Sequence, residues 1–320
     1  FLFEDDGQTI KEEFQVLAHP VGIGLAPWLT PELKAQLFAT GGDRANTFVG
    51  TSMLQTLFLR EHNRIADLLA SLYSWDDERL FQTTRNIVIV LLIKIVVQEY
   101  INHITPYHFQ FKADPSGFSN ARWYRANRMA VEFSLVYRWH SLIPENIVVA
   151  GREIPGVRTL FHNELIIERG LGPIFQEMSN QSSGEIGLFN TPSFLIDREA
   201  NAVRVGRINR IAGYNDYREL MGYPRVTDFD QISGDARVQQ GLLEVYGSVD
   251  AIELYAGLLA EDVRPNSALP PLIGRILAMD AFSQAFTNPL LAETIFQEAT
   301  FSKPGWAILQ ETNRLQDILN

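Results

Sequence analysis

Apolar residues recur every three to four positions along much of this chain, which is the period of an amphipathic helix. The clearest case is residues 51–73, where leucine, isoleucine and phenylalanine form one broad face. Glu61 falls on that face, so we expect a carboxylate to point inward there and to need a partner. A second helix is predicted from about residue 77 to 104, after a helix-capping sequence, SWDD, at 74–77.

A third helix is predicted over about residues 121–141. Its apolar stripe contains a phenol and an imidazole: Met129, Phe133, Val136, Tyr137 and His140. Tyr137 and His140 are therefore expected one turn apart, facing whatever this helix buries. They form either a hydrogen-bonded core pair or a functional site. A buried neutral imidazole is a common axial ligand of haem iron, and a tyrosine one turn away is then close enough to be oxidised to a phenoxyl radical.

The remaining patterns are shorter. A small β-hairpin is predicted around Gly151, within residues 144–160, and loops with short helices are predicted over 169–195. Further helices are predicted at 208–220, 235–247, 249–260 and 271–285. Because no internal repeat and no linker interrupts these elements, the sequence indicates one mostly α domain.

Composition narrows the functional classes. The chain has 320 residues, 46% hydrophobic and 20% charged, which is typical of a globular protein. Its net charge of -11 argues against a nucleic-acid-binding protein, and the absence of cysteine excludes disulfides, thiol catalysis and iron–sulfur clusters. The longest apolar run, at 87–97, is shorter than a bilayer and contains Lys94, so we interpret it as a core helix rather than a transmembrane one.

Four blocks of sequence resemble one family. LFLREHNRIADLL at 57–69 resembles the REHNR helix of the animal-type haem peroxidase superfamily, and the blocks at 74–109, 132–144 and 251–265 are similar to its cyclooxygenase branch. The YRWH sequence looks closer to bacterial and fungal fatty-acid dioxygenases than to vertebrate prostaglandin synthases. The resemblance implies a mainly α, cyclooxygenase-like fold, with helices packed around a haem and little β structure.

The resemblance also implies a function. The chain would be a haem b-dependent fatty-acid dioxygenase, in which a Tyr137 radical takes a hydrogen atom from a polyunsaturated fatty acid and O2 adds to give a hydroperoxide. His140 would be the proximal ligand of the haem iron. Tyr100 would hydrogen-bond the radical tyrosine, and Tyr255 and Trp139 would lie beside the cofactor. The implied substrate channel is apolar and contains Phe133, Val136, Ile101 and Ile104.

One part of the family pattern is not matched. None of the other five histidines lies in the sequence context of the family's distal histidine. We therefore expect residues 1–320 to be the C-terminal, larger part of a single catalytic domain. An upstream segment or a second chain would supply the distal side of the haem. Calcium is expected only through that segment, as is any peripheral contact with a membrane.

The alternatives are a haem peroxidase that oxidises small aromatic compounds or halide, and an inactive, haem-free interaction fragment. No nucleic-acid partner is expected, and family resemblance suggests a homodimer. The sequence does not fix the compartment. We expect a cytoplasmic location or one at the membrane periphery, without a transmembrane helix in this chain.

Overall fold

Helices dominate the computed structural model, which describes residues 1–15, 29–40, 44–105, 110–114, 121–125 and 128–319. The first seven helices are α1 (Pro31–Ala35), α2 (Val49–Leu72), α3 (Asp77–Ile95), α4 (Asn102–Ile104), α5 (Val131–Val136), α6 (Glu164–Arg169) and α7 (Leu171–Ser179). The others are α8 (Ile196–Ile208), α9 (Tyr214–Leu220), α10 (Ala236–Tyr246), α11 (Leu254–Ala260), α12 (Pro271–Phe286), α13 (Glu298–Phe301), α14 (Lys303–Glu311) and α15 (Leu315–Leu319). The predicted mainly α fold class is confirmed.

One compact unit comprises residues 1–64 and 144–183 together with Leu319. It contains a two-stranded antiparallel sheet, β1 (Asn146–Val149) and β2 (Arg152–Pro155). Ala150 and Gly151 join the strands with φ of 55° and 70°, as a tight two-residue hairpin turn requires. The hairpin prediction is therefore confirmed.

Glu61 on α2 has the partner that its inward position requires. It is 5% exposed, and both of its carboxylate oxygens accept hydrogen bonds of 2.7 Å from the Arg64 guanidinium. This bidentate ion pair compensates the desolvation of the Glu61 carboxylate.

The second unit comprises the described residues within 65–143 and 184–318. One of its hydrophobic clusters gathers buried residues of α5, α8, α9, α11 and α12, and the other gathers those of α3, α12, α13 and α14. Phe133, Trp139 and Leu142, which flank Tyr137 and His140 in the sequence, pack against the first cluster, so this cluster supports the candidate site.

The predicted 77–104 helix is present as three consecutive pieces. It begins at Asp76, whose carboxylate accepts a 2.8 Å hydrogen bond from the Arg79 N–H. After α3 the helix widens into a π-helical segment, Val96–Ile101, before α4. Such segments are rare and occur often at functional sites.

Lys94 lies buried on α3. Its ammonium group donates to the Leu309 carbonyl, and burial lowers the pKa of Lys94, against the attraction of Asp317. By length and composition, the continuous Asp77–Ile104 helix could cross a membrane, with a mean hydropathy of 1.8. Since Ile87 and other apolar residues of this helix are fully buried in the protein core, it is weak evidence for a membrane span.

Three predicted helices differ from the structure. The predicted helix at 249–260 is α-helical only over Leu254–Ala260, after a 3₁₀ turn at Val249–Ala251. The predicted helix at 208–220 is instead the end of α8, a turn, and α9. Arg210 has φ of 55° in that turn, and the Tyr214 N–H bonds the Ile252 carbonyl at 2.9 Å. A backbone pairing with the segment just before α11 therefore replaces the expected helical turn.

The third predicted helix, 121–141, is also much shorter. Within the described residues of this region only α5 is helical, and it stops before Tyr137. The Trp139 indole N–H donates to the Val136 carbonyl at 2.6 Å, and the Arg138 guanidinium donates to the Ser134 carbonyl at 3.1 Å. These side chains occupy carbonyls that a continuing helix would bond through its backbone. His140 then starts a separate 3₁₀ turn.

Gly257 allows α11 to approach α9 closely. A Cβ at this position would lie 2.3 Å from ring atoms of Tyr214, which is fully buried. We expect Gly257→Ala to lower the free energy of unfolding by about 1–3 kcal/mol, because a packed ring must move. Gly206→Ala on α8, whose nearest new contact is 3.9 Å away, should instead stabilise slightly. Chemical denaturation of both variants measures these changes. Equal changes in the free energy of unfolding would contradict the close packing of Gly257 against Tyr214.

Candidate active site around Tyr137 and His140

His140 is held by a carboxylate from another helix. Its Nδ1 lies 3.0 Å from Glu199 Oε1, and Glu199 projects from the first turn of α8. The His140 side chain is 25% exposed. A carboxylate on one ring nitrogen fixes the orientation of the imidazole and directs the other nitrogen, Nε2, away from it.

Glu199 is itself held by two further donors. Thr191 Oγ1 donates to Oε1 at 3.0 Å, and the Tyr255 hydroxyl donates to Oε2. Burial would raise the pKa of the Glu199 carboxyl, but the bonds from His140, Tyr255 and Thr191 outweigh it and lower that pKa. Glu199 is therefore an anion at neutral pH. The Tyr255 hydroxyl also lies 3.2 Å from the Arg138 carbonyl, which places it beside the segment leading to His140.

Sequence reasoning missed Glu199. It lies between the loops predicted over 169–195 and the helix predicted at 208–220, where no element was predicted, and its partner is 59 positions away. A signal was present, however. Asp197 and Glu199 occupy the first turn of an unpredicted helix, where acidic residues are favoured by the helix dipole.

Tyr137 has a phenolic partner. The Tyr100 side chain, on the π-helical segment, lies near Tyr137, and each phenol shifts the pKa of the other. Burial raises the pKa of Tyr100, and the pair with Tyr137 raises it further. Burial also raises the pKa of Tyr137, and the neighbouring Tyr100 hydroxyl partly offsets this rise. Both groups are therefore neutral phenols at physiological pH.

Three aromatic rings adjoin one another here. Phe133 and Tyr137 have ring centroids 5.2 Å apart, and Tyr137 stacks on Trp139 at 4.8 Å with an interplanar angle of 16°. Tyr137 remains 38% exposed, so the expectation that the Tyr–His face is wholly buried is wrong. The break after α5 explains the difference, because it turns Tyr137 and His140 off a common helical stripe.

The predicted channel residues separate into two groups. Ile101 and Ile104 line a cavity of about 270 Å³ that is otherwise bordered mainly by α12 and the segment before it. Val136 is 1% exposed and belongs to the hydrophobic cluster that also contains Ile104. Phe133 contacts Tyr137. Among the described residues that line the cavity, neither Phe133 nor Val136 is present.

A hydrogen bond holds α5 to α9. The Tyr217 hydroxyl donates to Glu132 Oε1 at 2.5 Å. Burial raises the pKa of Tyr217, and the Glu132 carboxylate raises it further. Glu132 lies in the first turn of α5, at the opposite end from the break, so this pair anchors the helix that leads into the site.

Alkaline pH should loosen this anchor. Because the pKa of Tyr217 is raised in the folded state, its contribution is complete below the unfolded value near 10 and is lost as pH rises above it. We expect the free energy of unfolding to fall above pH 10. In Tyr217→Phe the slope of this fall should be smaller by about 1.4 kcal/mol per pH unit. Denaturation at pH 8 to 11 measures both slopes. Identical slopes would show that Tyr217 does not retain its proton.

The side chains around His140 fit a haem. Within the described residues, no group of three or more His, Asp or Glu side chains is arranged to hold a metal ion. A haem iron needs only one protein ligand on its proximal side, because the porphyrin nitrogens already coordinate it. His140 Nε2 has no hydrogen-bond partner in the described part of the chain, while Nδ1 is fixed by Glu199. Of the other histidines, His19 and His108 lie outside the described residues.

Comparison with known proteins assigns the family. The sequence model of the animal haem peroxidases, described as "Animal haem peroxidase", matches residues 26–320. The chain belongs to the animal haem peroxidase family. That family comprises haem oxidoreductases, including cyclooxygenase-like enzymes.

Individual relatives agree with this assignment. Prostaglandin G/H synthase 2 of Gallus gallus is 33% identical over 285 residues, which are 88% of this chain and 47% of that protein. The chain thus spans about half the length of the curated relatives it matches. The fold resembles fatty acid alpha-dioxygenase of Arabidopsis thaliana, with a TM-score of 0.77, 21% identity and coverage of 100% of this chain and 57% of that one. The fold also resembles peroxidase A of Dictyostelium discoideum, with a TM-score of 0.72 and 24% identity. The match covers 92% of this chain and 58% of that one.

Proposed function

We propose that this chain carries the proximal haem side and the radical tyrosine of a haem-dependent fatty-acid dioxygenase. The observation that carries the proposal is the position of Tyr137, near Tyr100 and stacked on Trp139, three residues before the carboxylate-held His140. The prostaglandin synthase and fatty acid alpha-dioxygenase relatives support the choice of a fatty acid as the substrate.

His140 would hold the haem iron through Nε2. Glu199 would accept a hydrogen bond from His140 Nδ1–H. This bond makes the imidazole a stronger ligand for the iron and fixes the plane of its ring. Tyr255 and Thr191 keep the Glu199 carboxylate in place. Trp139 would contribute its ring face to the cofactor side, since its N–H is already bonded to the Val136 carbonyl.

When bound at His140, haem b would supply the oxidising equivalent, and Tyr137 would give up the hydrogen atom of its hydroxyl. The resulting phenoxyl takes a hydrogen atom from a carbon flanked by double bonds in the fatty acid, which restores the O–H and leaves a carbon radical. O2 adds to that carbon to give a peroxyl radical. The peroxyl takes the hydrogen atom back from Tyr137, so the net reaction is RH + O2 → ROOH and the phenoxyl is regenerated.

Tyr100 would stabilise this cycle. Its hydroxyl lies near Tyr137 and would donate a hydrogen bond to the Tyr137 oxygen, which favours the oxygen-centred radical as the hydrogen leaves. The raised pKa of Tyr137 keeps the phenol neutral, so a hydrogen atom is available for transfer. Phe133 and Trp139 surround the ring with apolar surface, and Val136, Ile101 and Ile104 would form part of an apolar substrate channel.

The distal side of the haem would come from a segment upstream of residue 1 or from a second chain. Residues 1–320 would then be the larger, C-terminal part of one catalytic domain. We place calcium and any membrane contact on the same upstream segment, and we propose a homodimer as the assembly.

Oxygen consumption tests the proposal. Haem-loaded protein that includes the upstream segment is given linoleate and a trace of peroxide, and dissolved O2 and products are followed. We expect O2 uptake matched by fatty-acid hydroperoxide. Oxidation of a small aromatic donor without any O2 uptake on linoleate would overturn the proposal in favour of an ordinary haem peroxidase.

A further inference from the structure

A second cavity, of about 380 Å³, lies between two helix corners of the second unit. One corner joins α2 to α3, and the other joins α13 to α14. The volume is within the roughly 300–1,000 Å³ that is typical of small-molecule sites. Its walls carry two cations, a carboxylate and three hydroxyl groups: Arg79, Lys303, Glu298, Thr83, Thr300 and Ser302.

Core packing fixes the two walls of this cavity relative to each other. Buried residues of α3, α13 and α14 belong to one hydrophobic cluster. Gly305 lets α14 approach α3 closely, since a Cβ there would lie 2.5 Å from Ile87 Cδ1. Phe301, which lies between the cavity residues Thr300 and Ser302, is fully buried. The cavity is therefore preformed, which lowers the entropic cost of binding a ligand.

Arg79 is oriented by an aromatic ring. Its guanidinium carbon lies 4.2 Å from the ring centroid of Trp75. Trp75 in turn stacks on Tyr73, with ring centroids 4.4 Å apart and an interplanar angle of 8°. This cation–π contact positions the guanidinium without using any of its N–H donors. The donors can therefore make a bidentate contact with an oxyanion such as phosphate.

The cations of this cavity have no protein counter-ion. In the part of the chain that the structure describes, neither Arg79 nor Lys303 has a carboxylate within ion-pair distance, whereas Arg64 on α2 pairs with Glu61 at 2.7 Å. Glu298 borders the same cavity without pairing to either cation there. Two cations and one carboxylate give these walls a positive formal charge, in a chain whose formal net charge is -11. The cavity therefore selects an anion.

We propose that this cavity binds the phosphate monoester of a small hydroxylated compound, such as a sugar phosphate. Arg79 and Lys303 bind the phosphate oxygens, and Glu298 accepts a hydrogen bond from a ligand hydroxyl. A phosphate group fills only part of about 380 Å³, so room remains for a polar body. Ala299 is the only aliphatic side chain among the described lining residues, which does not suit an acyl chain. The site shares no described residue with the Tyr137–His140 region, so it is independent of the proposed function.

Exposed residues of the cavity allow charge to be removed in both directions. Arg79→Gln and Lys303→Gln remove a cation, and Glu298→Gln removes the charge that repels phosphate. All three residues are exposed, so the variants should fold. Arg85→Gln is the matched control, since Arg85 lies on α3, is exposed, bonds Gln82 Oε1 at 3.3 Å and does not line the cavity.

Calorimetric titration of the full chain at low ionic strength compares glucose 6-phosphate, glucose and inorganic phosphate. We expect glucose 6-phosphate to bind more tightly than inorganic phosphate, and glucose not to bind. Its dissociation constant should rise about tenfold in Arg79→Gln and in Lys303→Gln and stay unchanged in Arg85→Gln. Glu298→Gln should bind inorganic phosphate up to about fivefold more tightly, a gain that a merely structural role of Glu298 would not produce.

Unchanged binding of glucose 6-phosphate in both cation variants would overturn the inference, as would no binding to the parent chain. Inorganic phosphate that binds as tightly as glucose 6-phosphate would show that no hydroxylated body is recognised. Vesicles that contain phosphatidic acid are the last probe. Co-sedimentation with these vesicles that depends on Arg79 and Lys303, without binding of glucose 6-phosphate, would overturn the inference by identifying a lipid head group.

Discussion

Tyr137→Phe should abolish oxygenation and leave the haem site intact. Phenylalanine keeps the ring that contacts Phe133 and Trp139 but has no hydroxyl to lose a hydrogen atom. We expect O2 uptake on linoleate to fall by roughly three orders of magnitude or more, the scale seen when the reacting group of a catalytic unit is removed. The haem absorption spectrum should not change.

A matched control separates this effect from the loss of any buried phenol. Tyr246→Phe removes a hydroxyl that bonds Glu253 at 3.1 Å, in a part of the second unit that the mechanism does not use. Its O2 uptake should stay near that of the parent protein. Oxygenation that survives in Tyr137→Phe would show that another group takes the hydrogen atom.

His140→Ala should remove specific haem binding. The iron would lose its only protein ligand on this side, and Glu199 would keep a charge that no imidazole compensates. Titration with hemin should show saturable binding at one haem per chain in the parent protein and none in the variant, as followed by the Soret band. Specific binding that persists in His140→Ala would assign the ligand to another residue.

Glu199 offers a graded version of the same experiment. Glu199→Gln keeps an acceptor for His140 Nδ1 but removes the charge, whereas Glu199→Ala removes both. Loss of such a supporting carboxylate weakens metal affinity by about 10- to 100-fold in other proteins. We expect Glu199→Ala to bind hemin more weakly than Glu199→Gln, and both more weakly than the parent protein. Equal affinities in all three would mean that Glu199 does not position His140.

Periodicity was sufficient for the long elements. The 77–104 helix has a strong apolar pattern and a capping acid, and the structure shows it from Asp77 to Ile104. The hairpin around Gly151 was likewise predictable, because few two-residue turns join antiparallel strands. Both depend on interactions between residues close in sequence.

The site itself depends on distant contacts, which a single sequence does not reveal. The helix break after α5 is caused by side-chain bonds from Arg138 and Trp139 to backbone carbonyls, and these side chains look equally compatible with a continuing helix. Glu199 acquires its meaning only when α8 packs beside His140. The family resemblance pointed to Tyr137, Tyr100 and His140, but not to the carboxylate behind the histidine.

The most direct test of the account is whether a radical forms on Tyr137. Haem-loaded protein is mixed with an organic hydroperoxide, frozen within milliseconds, and measured by electron paramagnetic resonance. A tyrosyl signal in the parent protein that is lost or altered in Tyr137→Phe, and that decays when linoleate is added before freezing, is the predicted result. A signal that is the same in Tyr137→Phe, or that linoleate does not quench, would contradict the proposed mechanism.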